Sequence, residues 1–220
     1  MVAVVRETSV GSSEEVTRDR LLGLDNYETI TQNLFHSGQV APIRNWVHGS
    51  VLDVGAGHGR FSIGNPSTFS LDIERRSLRR GLDLGNISRG IVGTALRLPF
   101  KNESFDTVLA LGIVEHIHPA SIATLFDELT RVVRPGGRLV VRVSSPYAPF
   151  ALLRVQTWNN SLHPFSPFRL RAALVRRGWQ PIAWISSGLL GVTHILPMTV
   201  NAPIPWARSV SLVFRRCESE

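Results

Sequence analysis

The chain has 220 residues, but only one cysteine and two tyrosines, and Lys101 is the single lysine among its 24 basic residues. With Cys217 alone, a disulfide framework within the chain and a paired-cysteine metal site are both excluded, which points to a reducing, cytoplasmic setting; no metal is expected. The formal charge of +7 therefore rests on arginine. Guanidinium groups suit bidentate recognition of phosphate or carboxylate. The arginines are nevertheless scattered along the chain without a long basic run, so they read first as solvated charge, with RNA kept open as a partner. A long uninterrupted apolar run is missing too. Residues 178–207 contain no Asp, Glu, Lys or Arg, yet Pro181, Pro197, Pro203 and Pro205 break them up, so no transmembrane segment is expected. Arg6 follows only a few apolar residues, which is too short a stretch for the apolar core of a signal peptide.

What is present is enough apolar side chain, 43% of the sequence, to build one full core, and a single domain over 1–220 is expected. Apolar, β-branched runs predict seven strands at 50–54, 68–73, 90–93, 105–111, 138–143, 181–185 and 209–214. Between them, Ile122, Leu125, Phe126, Leu129 and Val133 recur at three and four residues, one face of a helix, and "PFRLRAALVRRG" repeats that pattern up to Gly178. Strands alternating with helices imply parallel pairing through right-handed crossovers, an α/β three-layer sandwich. Ahead of the first strand, Ser12 and Glu15 have capping-box spacing, "YETITQNLF" and "SGQVAPIRNWV" predict two or three helices, and residues 1–12 are expected to fray.

The stretch "VLDVGAGHGR" places Gly55, Gly57 and Gly59 directly after the first core strand. Glycine costs backbone entropy and is useful where φ is positive or a ligand nears the main chain. In open parallel sheets ligands bind at the carboxyl ends of strands, where the strand order reverses, and this loop falls at such an end. Its glycines alternate, and Arg60 occupies the place that the dinucleotide fingerprint reserves for its third glycine, so a nicotinamide enzyme is disfavoured. Nineteen residues after Asp53 comes Asp72, at the end of the second strand. A carboxylate there can accept both hydroxyls of a ribose, which predicts an adenosine-bearing ligand; the competing reading is that Asp72 caps the helix that follows.

Four consecutive pieces, "VLDVGAGHG", "LDIE", "GTALRLPFKNESFDTVLALGIVEHI" and "LTRVVRPGGRLVV", resemble the class I S-adenosylmethionine-dependent methyltransferases. The resemblance implies a Rossmann-like, seven-stranded, mostly parallel sheet with an antiparallel last strand. It divides the chain into N-terminal helices at 1–48, a cofactor-binding core at 50–145 and a substrate-side part at 146–220. It also implies S-adenosylmethionine as cofactor. Gly55, Ala56, Gly57 and Gly59 would lie against its methionine part, with Asp53 directed at the amino group. Asp72 would hold the ribose, with Ile73 against the adenine. Thr94 stands where the family usually has an acid for the adenine amino group, with Ala95 and Leu96 beside it, and Leu111 and Gly112 would face the sulfonium. The interval between Gly59 and Asp72 is about a turn shorter than in the family and is broken by Gly64 and Pro66.

Methyl transfer from a sulfonium requires chiefly that the nucleophile be positioned, with a general base optional. Glu115 and His116, after the fourth strand, and His163 in "LHPF" are the candidate catalytic residues; each also has a plain structural reading, as a helix-start carboxylate, a packed ring and a loop residue. The charge-free stretch 178–207 favours a small apolar or aromatic acceptor, whereas the arginines of "ERRSLRR" and "FRLRAALVRRG" favour RNA such as tRNA. A non-catalytic partner that only binds the cofactor is the third reading.

Overall fold

The computed structural model describes residues 3–4, 41–59, 66–148, 165–188, 199–204 and 206–218. Nine strands form one sheet: β1 Ala3–Val4, β2 Val51–Val54, β3 Thr68–Asp72, β4 Gly90–Val92, β5 Phe105–Leu111, β6 Val133–Ser144, β7 Trp179–Ser187, β8 Thr199–Val200 and β9 Ser209–Arg216. Their order across the sheet is β1-β4-β3-β2-β5-β6-β9-β7-β8. The five strands from β4 to β6 are mutually parallel, and β9 enters antiparallel between β6 and β7. All seven predicted strands are present, the last of them antiparallel.

Two findings correct the sequence reading. Ala3 and Val4 do not fray but pair with Val92 and Ile91 on the edge strand β4, and Thr199 and Val200 pair with Ser187 and Ser186 on β7. Two-residue strands carry no readable period. The second is the start of β6. It begins at Val133, before "RPGG" and not after it, because Val133 pairs with Phe105 and the register slips before Thr107 meets Arg138.

The longer helices among the described residues are α1 Arg75–Asp83, α2 Ile122–Val132 and α3 Pro167–Val175, and residues 41–44 are also helical. α2 buries Leu125, Phe126, Leu129 and Val132 completely, each worth about 1.5–3 kcal/mol against exposure to water. It ends where Val133 turns extended, since the following Arg134-Pro135 pair disfavours helix. α3 starts at Pro167 with Ser166 as N-cap, its hydroxyl accepting from the Arg169 N–H. Both helices pack with Leu139, Val141 and Trp179 on one face of the sheet, while Ile43, Trp46 and Val47 cover Val51, Leu109, Val140 and Val213 on the other.

Two polar clamps set the loops. Arg131 grips both carboxylate oxygens of Glu128 at 2.7 and 2.8 Å and donates to the carbonyls of Leu98 and Phe100, fixing the connection after β4 to α2. At the entrance to β2, the Asp106 carboxylate accepts from the Ser50 N–H at 2.7 Å and from Arg134 at 2.5 Å. A side chain at Gly49 (φ 62°) would sit 2.2 Å from that carboxylate, so the chain must pass there as glycine. Burial pushes the Asp106 carboxyl up, but the hydrogen bonds from Arg134 and Ser50 outweigh it and bring the pKa down to about 2. A depressed folded pKa stabilises above the unfolded value and is lost as pH falls through the folded one. Stability should thus drop between about pH 4 and pH 2, and Asp106→Asn should flatten that part of the profile, as measured by thermal melts across the window.

Candidate active site

After β2 the chain bends away from β3 with the Gly55 and Ala56 N–H groups both donating to the Leu71 carbonyl, at 2.8 and 3.1 Å. Gly55, Gly57 and Gly59 all have positive φ, at 75°, 56° and 76°. Their reasons differ. A Cβ on Gly55 would press on Ile113 at 2.8 Å, and one on Gly59 would meet Asn86 and Ile87 at 2.8 Å. Those two are glycine so that the loop can pack on the protein. Among the described residues a Cβ on Gly57 would meet nothing within 4 Å, so its main chain has room beside it, as a ligand-contacting backbone should.

The Asp72 carboxylate fixes this loop. One oxygen accepts from the Gly57 N–H at 2.7 Å, and the other from the Glu74 N–H at 2.9 Å at the start of α1. The helix-capping contact therefore exists, and it does not exclude a ligand, because each carboxylate oxygen has a second lone pair. Next to it, Ile73 is 75% exposed, so its side chain is available to lie against a flat ligand. Asp53, by contrast, is buried, and burial followed by repulsion from Asp72 raises its pKa to about 7.

Thr94 lies beyond the end of β4, exposed, its hydroxyl accepting from the Leu96 N–H at 3.2 Å; Ala95 is buried and Leu96 packs on the core. At the end of β5, Leu111 is buried and Gly112 (φ 86°) donates to the Arg142 carbonyl at 3.0 Å. Glu115 is 1% exposed and takes the Ser144 N–H on one oxygen, while the other lies 3.8 Å from where a Cβ on Gly112 would stand. His116 is exposed, not a packed ring. His163 lies outside the described residues. The carboxyl ends of β2, β3 and β5 thus gather the glycine loop, Asp72, Leu111, Gly112 and Glu115 in one place, on either side of the point where the strand order reverses between β2 and β5.

Sequence reasoning missed Arg142. It pairs with Leu111 across β5 and β6 and donates to the Ser209 hydroxyl at 3.2 Å. Burial lowers its pKa to about 10, with Glu115 opposing the shift. The signal was an arginine interrupting "LVVRV" in a strand that is otherwise apolar. Among the described residues no group of three or more His, Cys, Asp or Glu is arranged to hold a metal, and no helix is long and apolar enough to cross a membrane.

The buried Asp53 makes a testable contribution to stability. Its folded pKa of about 7 lies above the model-peptide value of 3.8, so the folded state holds the proton longer. Stability should fall as pH rises from about 4 to about 7 and level off above. Urea denaturation at pH 4.5 and pH 7.5 should show this decline in the wild type and its absence in Asp53→Asn. Parallel profiles for the two proteins would mean that Asp53 does not titrate in that range.

Residues 52–141 match the sequence profile of a family described as methyltransferase domain. A demethylmenaquinone methyltransferase from Beutenbergia cavernae is 39% identical over 113 residues, covering 47% of this chain and 45% of the relative. A tRNA (carboxymethyluridine(34)-5-O)-methyltransferase from Arabidopsis thaliana is 26% identical over 134 residues, covering 55% of this chain and 33% of the relative. The chain thus spans less than half the length of either protein. The crystal structure of an S-adenosylmethionine-dependent methyltransferase from Thermotoga maritima superposes with a TM-score of 0.73 at 15% identity, covering 90% of this chain and 97% of that one, a likeness of fold. Residues 52–141 thus match a methyltransferase domain, and the chain has the fold of solved S-adenosylmethionine-dependent methyltransferases.

Proposed function

We propose that the protein transfers a methyl group from S-adenosylmethionine to a small apolar or aromatic acceptor. The observation that carries the reading is the open main chain at Gly57, held in place by Asp72 beside the exposed Ile73. These residues fit the cofactor: the loop from Gly55 to Gly59 can take its methionine part, Asp72 its ribose, and Ile73 with Thr94, Ala95 and Leu96 its adenine. Bound there, the cofactor supplies a methyl group already activated on a sulfonium. The work left to the chain is positioning. Leu111 and Gly112 line the place where the methyl would be presented, and Gly112 keeps it free of a side chain. Glu115, buried and anchored by the Ser144 N–H, would orient an acceptor hydroxyl or take its proton, and the exposed His116 would serve at the rim.

The apolar character of the acceptor is supported by β7, which presents no charged side chain, and by Tyr147 and Phe168, which are 42% and 49% exposed. The arginines that would argue for RNA are in part committed to the fold. Arg177 pairs with Asp127 at 2.7 Å and lies over the Phe126 ring, and Arg79 pairs with Asp83 at 3.2 Å. Arg75 and Arg76 on α1 are exposed. RNA remains the second reading on their account and on that of the tRNA-modifying relative.

Calorimetry with S-adenosylmethionine and S-adenosylhomocysteine should show binding to the wild type and none to Gly57→Val, whose branched side chain would fill the open space. The positive φ at that position should cost the variant about 1–2 kcal/mol of stability, leaving it folded. Absence of heat with the wild type would overturn the reading. Filter binding with total tRNA should be weak and nearly independent of salt. Tight binding that falls by orders of magnitude between about 50 and 200 mM salt, and less steeply once Arg75 and Arg76 are both changed to Ala, would put RNA first.

A further inference from the structure

Three aromatic rings lead away from the methyl-transfer site. Tyr147 follows the carboxyl end of β6 by three residues; its ring centroid lies 6.1 Å from that of Phe168, in the first turn of α3, and Phe168 lies 5.3 Å from Trp184 on β7. The Tyr147 hydroxyl is hydrogen-bonded to the Ser166 hydroxyl at 3.0 Å, which turns the ring toward α3. Beyond Trp184 the line opens into a cavity of about 240 Å³ between α3 and β7, lined by Arg171, Pro181, Ile182, Ala183, Trp184 and Leu212. Its walls are apolar apart from Arg171. On this side, among the described residues, β7 has a partner strand only at Ser186 and Ser187, and the groove runs along the edge below that pairing.

Register fixes how far this groove is from the reaction. Trp184 pairs with Leu212, Leu212 with Val141, and Val141 with Ala110, the neighbour of Leu111. Trp184 therefore sits level with the end of β5, three strand spacings away, about 14 Å. A ring bound at Trp184 could not receive a methyl group at Leu111 and Gly112. One molecule can touch both places if a flat head is joined to an extended apolar chain, and covering about 14 Å takes on the order of twelve bonds of such a chain.

We propose that the Tyr147, Phe168 and Trp184 rings and the groove between α3 and β7 hold the hydrocarbon tail of the acceptor, so that the substrate is a reactive head bearing a linear apolar chain of roughly a dozen carbons or more. The proposal rests on the reading of the protein as a methyltransferase with an apolar acceptor. It commits the groove to that tail because the rings run without interruption from the end of β6 into it. Phe168, half in solvent on a surface turn, is the specificity-determining residue: burial of its ring under a chain is favourable, and a charge in its place opposes the chain.

The test uses the whole protein and two readouts. The five tryptophans give an intrinsic fluorescence that 12-bromododecan-1-ol should quench, and Trp184→Phe should abolish most of the quenching. Phe168→Asp should weaken the apparent affinity for that probe at least tenfold while leaving the melting temperature and the heat of S-adenosylmethionine binding unchanged. In turnover, a hydroquinone series with no tail, a five-carbon tail and a fifteen-carbon tail should show KM falling at least tenfold between five and fifteen carbons, with the trend lost in Phe168→Asp. Quenching that survives Trp184→Phe, or a KM indifferent to tail length, overturns the proposal while the methyltransferase reading stands. Quenching that behaves as expected while no acceptor of any length is methylated overturns the assignment of the groove to the acceptor, and the apolar-acceptor reading with it. Light scattering that finds a dimer, made monomeric by Phe168→Asp, would show that a second copy covers the groove and also overturns the proposal.

Discussion

The grip of the Asp72 carboxylate on two backbone N–H groups organises the site. It joins the glycine loop after β2 to the start of α1 after β3. The Glu74 side chain makes no capping bond of its own, and the three glycines of the loop bring no side chains to pack. A charge-assisted hydrogen bond to each side substitutes for both. Because that carboxylate also sits close enough to Asp53 to repel it, the burial of Asp53 in its neutral form is part of the same arrangement. One acid binds two backbone donors, and the other, buried beside it, has its pKa raised to about 7.

Away from that point, the sheet divides the work. Its parallel half, from β4 to β6, supplies the loops that face a ligand, as expected where the strand order reverses. The half built from β6, β9 and β7 is antiparallel, and its strand β7 offers a charge-free wall next to α3. Clamps made by Arg131 and Arg134 hold the parallel half from below, so a protein rich in arginine spends several of its guanidinium groups on carbonyls and carboxylates of its own fold.

Much of this was legible in the sequence, and the exceptions have physical reasons. β5 and β9 announce themselves as apolar, β-branched runs, and α2 as a spacing of three and four. β1 and β8 could not be read, because two residues make no pattern and their pairing is decided by the edges they find. The early start of β6 depends on Val133 meeting Phe105, a contact between residues 28 positions apart that no local rule contains. In the site, the glycines and Asp72 were visible as types and spacings, but which glycine packs and which one faces space depends on Ile113, Asn86 and Ile87, brought there by other elements. The burial of Glu115 and its partnership with Ser144 were equally invisible, while His163 and the stretch from Arg60 to Asn65 fall outside the described residues.

The insertion of β9 between β6 and β7 has a consequence for the order of assembly. β7 is bonded to β9 and β8 but not to β6, although it precedes β9 in the chain. During synthesis β7 can meet only the two-residue β8 among the described strands until β9 has been made, and the rest of its apolar edge waits in solution until β9 has docked on β6. The parallel half can close on local crossovers well before that. The wall beside α3 is therefore the late-forming part of the molecule, and its completion is tied to a pairing of long sequence separation, the slow and aggregation-exposed kind.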